Sequence, residues 1–484
     1  MVRMISSSDR KVVRFHRRKP VATMDRDFPL DVPLSPPRAN PPMKRREFVG
    51  VSVALGSGLL ASSLFAEKPN AESKVARLAL IGCGRQGRAL VNAGLKIPEL
   101  QITAVCDIVA SARNSTKRYI EFDGEKDSVA AYSDFEELLT HEKGKIDGVL
   151  VATPDFAHHS QCIAALEAGL PVYCEPMMAT TPGDARDMIR AAKRADRLLQ
   201  IGFERRSDPR YRHVSDHLLN SETRERLLGR ITHFETQAHR RVQAEFAWPP
   251  RDTMEPEYLK RYGYESMSEY RNWKQYKRYG NGQCVFNLAL QVDVFEWFFG
   301  VRPKEIRAMG GLEFYPFGDC DDSITGAIAY AFPHGTVRAA VRVWMTTSGG
   351  GMLPFEHVYG ELGSVQTSLS DELFRLHAEP GLAKWNDFVR AGVLKKENVS
   401  AEGEDPNLLS VRETGNVVPY LVPMIRSVPV LQLHLENFVK AAYHGSESHC
   451  TAADAFPAHV IAWNVDEAMR SNAALALESE AFTL

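Results

Sequence analysis

Residues 76–107 open with ARLALIGCGRQG (76–87) and close with QITAVCD (101–107). A short apolar run enters glycines at 82, 84 and 87, and a helix-compatible run follows them. A strand turning sharply into a helix needs Gly82 for the turn, Gly84 for close backbone approach to a pyrophosphate, and Gly87 for helix–strand packing. The helix start then offers free N–H groups and a positive dipole end to phosphate, with Arg85 and Gln86 on its first turn. Asp107 ends the second apolar run, where a carboxylate can take both hydroxyls of an adenosine ribose. The pattern predicts a dinucleotide site at Gly82, Gly84, Arg85, Gln86, Gly87 and Asp107. A carboxylate there repels a 2′-phosphate, so NAD is favoured over NADP.

Working outward, strand and helix patterns keep alternating. IDGVLVATP (146–154) reads as a buried strand ending at Thr153-Pro154, HHSQCIAALEAG (158–169) as a helix, and LPVYCE (170–175) as a strand ending at Glu175. Thr181-Pro182-Gly183-Asp184 opens another helix with a capping hydroxyl, Pro in the first turn and an acid three residues on. LLQIGF (198–203) is one more strand. This predicts an α/β fold, a doubly wound parallel Rossmann sheet over 71–205, with ligand-facing residues at the carboxyl ends of its strands. Residues 206–484 form a second, substrate and oligomerisation domain, where SITGAIAYAF, TVRAAVRVWMTT and GSVQTSLS read as strands of an open sheet.

The chain has 484 residues with 44% hydrophobic content, enough to bury two cores. Seven cysteines form no CxxC pair, and with no HExxH or spaced Cys/His cluster no metal site is expected. From Met43 the sequence MKRREFVGVSVALGSGLLASSLFA has a twin-arginine start, a weakly apolar run and a small-residue end near Ala66. Residues 43–70 therefore read as a twin-arginine signal that directs the protein to the periplasm or otherwise outside, with a retained anchor as the alternative. Residues 1–42 read as a disordered or mis-assigned extension. Beyond residue 66 the chain carries 47 basic and 56 acidic residues, a balance that argues against a nucleic-acid partner. No stable membrane span is expected after processing.

From Val75 onward the chain resembles the Gfo/Idh/MocA oxidoreductase family. The pieces that carry the resemblance are IGCGRQG, VATPDFAHH with His158, AALEAGLPVYCEP, LLQIGFERRSDPRY, NWKQYKRYGNGQ and QVDVFEWFFGVRP. The export layout is similar to that of glucose–fructose oxidoreductase, an exported member with retained cofactor. The resemblance implies a second domain built on a large, mostly antiparallel sheet, a homo-oligomer, and hydride transfer between a nicotinamide cofactor and a sugar, polyol or related carbohydrate. It also implies cofactor contacts at Thr153, Pro154 and His158, and a bond from Glu175 to the nicotinamide ribose.

The likeness breaks where proton chemistry belongs. The family's Glu-Lys-Pro is Glu175-Pro176-Met177 here, so Pro176 stands in the lysine's place. The family's acid and histidine in the second domain, counted back from Asp293, fall on Phe286 and Leu290. None of the three can take a carbinol proton. His239 is the one imidazole expected to reach the pocket as a base, with a solvated loop histidine as the alternative reading, while Asn287, Gln291 and Arg206 are candidates to orient substrate. The aromatic cluster from Tyr258 to Tyr279 reads equally as a sugar-stacking surface or as a packed insertion or subunit contact. Three functions stay open: an NAD-dependent oxidoreductase with a relocated base, an NAD-dependent glycoside-cleaving enzyme, and a nucleotide-bound sugar-binding protein without turnover.

Overall fold

The structure is a computed structural model that describes residues 75–123, 128–241, 246–315, 317–348, 353–379, 384–397 and 419–484. The expected extension (1–42) and signal segment (43–70) lie outside the described residues. Two sheets organise the rest. The first holds β1 (Ala76–Ile81), β2 (Leu100–Cys106), β3 (Ala130–Tyr132), β4 (Gly148–Val151), β5 (Val172–Cys174) and β6 (Leu199–Ile201). All are parallel, in the order β3-β2-β1-β4-β5-β6. The order reverses between β1 and β4, which opens a crevice at their carboxyl ends. Helices α1 (Arg85–Gly94), α2 (Ala110–Asp123), α3 (Phe135–His141), α4 (Asp155–Glu167) and α5 (Pro182–Ala195) connect the strands. The expected cap on α5 is present: Thr181 Oγ1 accepts from the Asp184 N–H at 3.1 Å.

β1 and β4 are almost continuously apolar because helices cover both faces of a parallel sheet. One covering helix comes from far along the chain. Val430–Tyr443 places Leu435, Phe438 and Val439 in one core with Leu78, Leu90 and Ile102. Each such side chain contributes about 1.5–3 kcal/mol by leaving water. The first sheet's core thus draws on residues beyond the 71–205 span.

The second sheet contains β7 (Ile231–His239), β8 (Pro303–Gly311), β9 (Ser323–Phe332), β10 (Gly335–Trp344), β11 (Phe355–Gly360), β12 (Gly363–Thr367), β13 (Arg375–Ala378), β14 (Lys395–Lys396), β15 (Pro419–Leu421) and β16 (Leu475–Ala476). Its order is β14-β15-β13-β12-β11-β7-β10-β9-β8-β16, and among the described residues only the β7–β10 pair is parallel. Phe234 of β7 stacks on Phe295 of the helix Gly282–Phe299, so even-numbered β7 residues face that helix. Odd-numbered residues face away from it.

Between β7 and that helix, residues 246–281 form an insertion with an aromatic core of its own. It is tied to the first sheet: the Tyr258 hydroxyl donates to the Ile108 carbonyl at 3.0 Å, and Phe156 of α4 meets Tyr264 and Tyr279 edge-on. Of the two readings of this cluster, the packed insertion matches the contacts.

Candidate active site

The glycine turn has the geometry its spacing predicts. Gly82 has φ +98°, and a Cβ there would stand 2.5 Å from the Ala152 carbonyl oxygen. A Cβ on Gly87 would stand 1.8 Å from the Gly82 carbonyl oxygen, so α1 can start this close to β1 only through glycine. At Gly84 a Cβ would meet nothing within 4 Å. Gly84, Arg85 and Gln86 are exposed, and the start of α1 has neither a side-chain cap nor an acid in its first turn. An uncapped helix N-terminus beside open space leaves N–H groups free for an anion.

Asp107 holds the next position. Its Oδ2 accepts from the Cys83 N–H and its Oδ1 from the Val109 N–H, each at 2.7 Å. Both oxygens keep lone pairs, and the carboxylate is only half-buried. The Arg113 guanidinium is turned to the Asp107 carbonyl. These residues fit a dinucleotide with free ribose hydroxyls.

Glu175 follows β5 and is 9% exposed. Burial pushes its carboxyl up to about 7, against a hydrogen bond from Gln86 that favours the charge. Its carboxylate accepts from the Tyr173 hydroxyl at 3.3 Å. Thr153 and Pro154, half-buried, lead from β4 into α4, and Thr153 Oγ1 donates to Gln161 Oε1 at 2.6 Å. The structure therefore brings Gly82, Gly84, Arg85, Gln86, Gly87, Asp107, Thr153, Pro154 and Glu175 to the strand-end crevice.

The remaining expected residues are held by other partners. His158 is fully buried, with Nδ1 2.7 Å from the Met177 carbonyl and Nε2 2.8 Å from the Thr153 carbonyl. It ties the Thr153 end of β4 to Met177 in the wall of the crevice. Arg206 is committed to a buried bidentate pair with Asp293, at 2.8 and 3.0 Å. Gln291, in the amide orientation its neighbours require, accepts from Arg205 Nη2 at 3.0 Å and donates to the Phe355 carbonyl at 3.0 Å. Asn287 is 2% exposed and donates to the Gln283 carbonyl one turn back, at 2.7 Å. These three buried side chains hold structure. His239 is corrected most clearly. As an odd-numbered β7 residue it lies on the sheet face away from the helix, stacked on Trp344 at 4.4 Å.

Phe286 and Leu290 are half-buried and pack against the main hydrophobic core, while Pro176, Met177 and Met178 are buried. The family's proton-handling positions are thus apolar in space as well as in sequence. The sequence reading missed Lys274, which the insertion carries on the 3-10 turn Trp273–Gln275. Its Nζ stands 4.3 Å from the Phe286 ring centroid and 5.1 Å from that of Trp273. Burial pulls its pKa down, opposed by Asp155 and Glu175. Asn281 fixes the end of the insertion: its Nδ2 donates to Asp155 Oδ2 at 2.9 Å and to the Ala179 carbonyl at 3.0 Å. A lysine among aromatic residues (W-K-Q-Y) was the one available signal. Among the described residues no group of three or more His, Cys, Asp or Glu could hold a metal ion, and no helix is long and apolar enough to cross a membrane.

Comparison with known proteins agrees with this architecture. Residues 76–203 match the Gfo/Idh/MocA family, described as an oxidoreductase family with an NAD-binding Rossmann fold. The rhizopine catabolism protein MocA of Rhizobium meliloti is 32% identical over 155 residues, covering 32% of this chain and 44% of that protein. A glycosyl hydrolase family 109 protein of Stenotrophomonas maltophilia is 33% identical over 154 residues, 31% of this chain and 33% of that protein. The match therefore spans less than half of either curated relative. Among solved structures, the aldose–aldose oxidoreductase of Caulobacter crescentus superposes with a TM-score of 0.60 at 16% identity, covering 84% of this chain and all of that one. That likeness extends the shared fold through the second sheet. With the glycine turn, Asp107 and the strand order all in place, residues 76–203 carry the NAD-binding Rossmann fold of the Gfo/Idh/MocA oxidoreductase family.

Proposed function

We propose that the protein is an NAD-dependent oxidoreductase that oxidises or reduces a secondary alcohol of a sugar, polyol or related carbohydrate. The observation that carries this is the uncapped start of α1 at Gly84, set beside Asp107 and in line with Glu175 across the β1–β4 switch. Gly84, Arg85 and Gln86 would hold the pyrophosphate, Asp107 the adenosine ribose and Glu175 the nicotinamide ribose. NAD bound there supplies a hydride acceptor at its nicotinamide ring. The protein's part is to seat the carbinol, exclude water and move its proton. Absorbance at 340 nm tests this against a panel of aldoses, polyols and cyclitols: appearance of reduced cofactor supports the reading, and none with any member overturns it.

Apolar Pro176, Phe286 and Leu290 favour a second reading, a nucleotide-bound sugar-binding protein without turnover. It predicts sugar binding to the NAD-loaded protein with no change at 340 nm. The family 109 relative keeps glycoside cleavage via transient oxidation as a third reading, which released aglycone would reveal. Export rests on Arg45-Arg46 and the run to Ala66, and Lys-Lys at 45–46 should hold the folded protein in the cytoplasm. A homo-oligomer is supported by the outer sheet face. There the large apolar side chain of Met309 is 69% exposed.

A further inference from the structure

We propose that Lys274, carried by the insertion, takes the carbinol proton in place of the lysine absent at 176, with the Phe286 ring as the seat of its amine. This deepens the oxidoreductase reading and rests on it. Two geometric observations and one electrostatic one support the role. The amine lies over the ring of Phe286, the position where the family resemblance puts an acid, 4.3 Å from its centroid. Its field comes from groups on four elements that bound the crevice: Asp155 and His158 of α4, Glu175 after β5, Arg85 of α1 and Arg240 after β7. Among the described residues its amine has no ion pair within 4.0 Å, its contacts being the two aromatic faces.

The apolar substitutions then acquire a physical meaning. An acid at 286 would pair with Lys274 and hold it as ammonium. A phenyl ring instead positions the lysine head by a cation–π contact weaker than a full counter-charge, and keeps that side of the site dry, so burial is left to lower its proton affinity. Burial and the cations Arg85 and Arg240 lower the amine's proton affinity, whereas Asp155 and Glu175 raise it. Burial is the largest of these influences, so the amine gives up its proton more readily than a free lysine does. In the forward direction the carbinol C–H leaves as hydride to nicotinamide C4 of NAD, and the O–H proton passes to the Lys274 amine. The products are a ketone, reduced cofactor and the lysine ammonium, so atoms and charge balance.

The test uses the full chain with Lys274→Met, Lys274→Arg and Phe286→Asp, and reads three quantities: cofactor binding, turnover with its pH profile, and the lysine's own titration. NADH affinity by fluorescence should stay within about threefold in Lys274→Met, which also reports folding, while kcat/KM falls about 10²–10⁴-fold. The ascending limb of the wild-type pH profile should vanish with it. Independently of turnover, ¹³C-dimethyl labelling, with the Lys274 resonance assigned by its loss in Lys274→Arg, should give a titration midpoint below that of free lysine. Phe286→Asp should move it upward and slow turnover. An active wild type with an equally active Lys274→Met overturns this role and leaves the oxidoreductase reading standing. A midpoint at the ordinary lysine value also overturns it. A wild type inert toward the whole panel overturns both.

Discussion

At the phosphate end of the crevice the working surface is main chain: the free N–H groups at Gly84, the turn at Gly82 and the close approach at Gly87. At the carbinol end it is side chain: Glu175 from the first sheet, Lys274 from the insertion and Phe286 from the helix beyond it. The first is a local property of a dozen consecutive residues and admits little variation, because a methyl added at Gly82 or Gly87 meets backbone oxygen. The second is assembled from distant segments, and its groups can be exchanged while the scaffold persists. One end can therefore keep its partner while the other changes chemistry.

The largest effect expected from this contrast is at Gly87. Its replacement by Ala drives a Cβ into the Gly82 carbonyl, which should cost about 3 kcal/mol or more and abolish NAD binding, as seen by thermal melting and titration. A normal melt with normal binding would break the comparison. Next comes Glu175, whose carboxyl rises from the ordinary 4.5 to about 7 in the folded protein. Folded Glu175 thus keeps a proton between pH 4.5 and 7 that the unfolded chain has released. In the cofactor-free protein stability falls as pH rises through that window, by at most about 3 kcal/mol. Glu175→Gln should flatten that slope in denaturant titrations at pH 5 and 8; an unchanged slope would remove the buried-carboxyl account.

A smaller effect sharpens the backbone claim. Gly84→Ala should leave stability within about 0.5 kcal/mol, since its Cβ meets open space, yet weaken NAD roughly tenfold by standing where the pyrophosphate approaches. Unchanged affinity would move the phosphates elsewhere. The smallest change is expected at His239. Its replacement by Ala should alter neither NAD affinity nor turnover, because it lies across the sheet from the helix Gly282–Phe299. A drop in turnover with unchanged oligomeric state would return it to the site.

How far the sequence was legible follows the same division. Glycine spacing, strand ends and the Thr181 cap are local rules, and they located the first sheet, its crevice and Asp107. The open sheet was legible from alternation, but the face presented by each residue was not. His239 and Arg240 are neighbours, yet a strand turns successive side chains to opposite faces, and only the pairing of His239 with Trp344 shows which. Asn287, Gln291 and Arg206 looked available because their partners Gln283, Arg205 and Asp293 become visible only in three dimensions. Lys274 was passed over since nothing in one chain says that the 246–281 insertion folds against Phe156 and sets its lysine on Phe286.

The central claim is that the backbone-made end binds NAD whatever the carbinol end has become. Calorimetric titration of the full chain with NAD and NADP, repeated with Asp107→Ala, tests it most directly. The account predicts that NAD binds more tightly than NADP, and that Asp107→Ala weakens NAD by about 1–3 kcal/mol and narrows the gap. Tighter binding of NADP by the unmodified protein, or no binding of either, would contradict it.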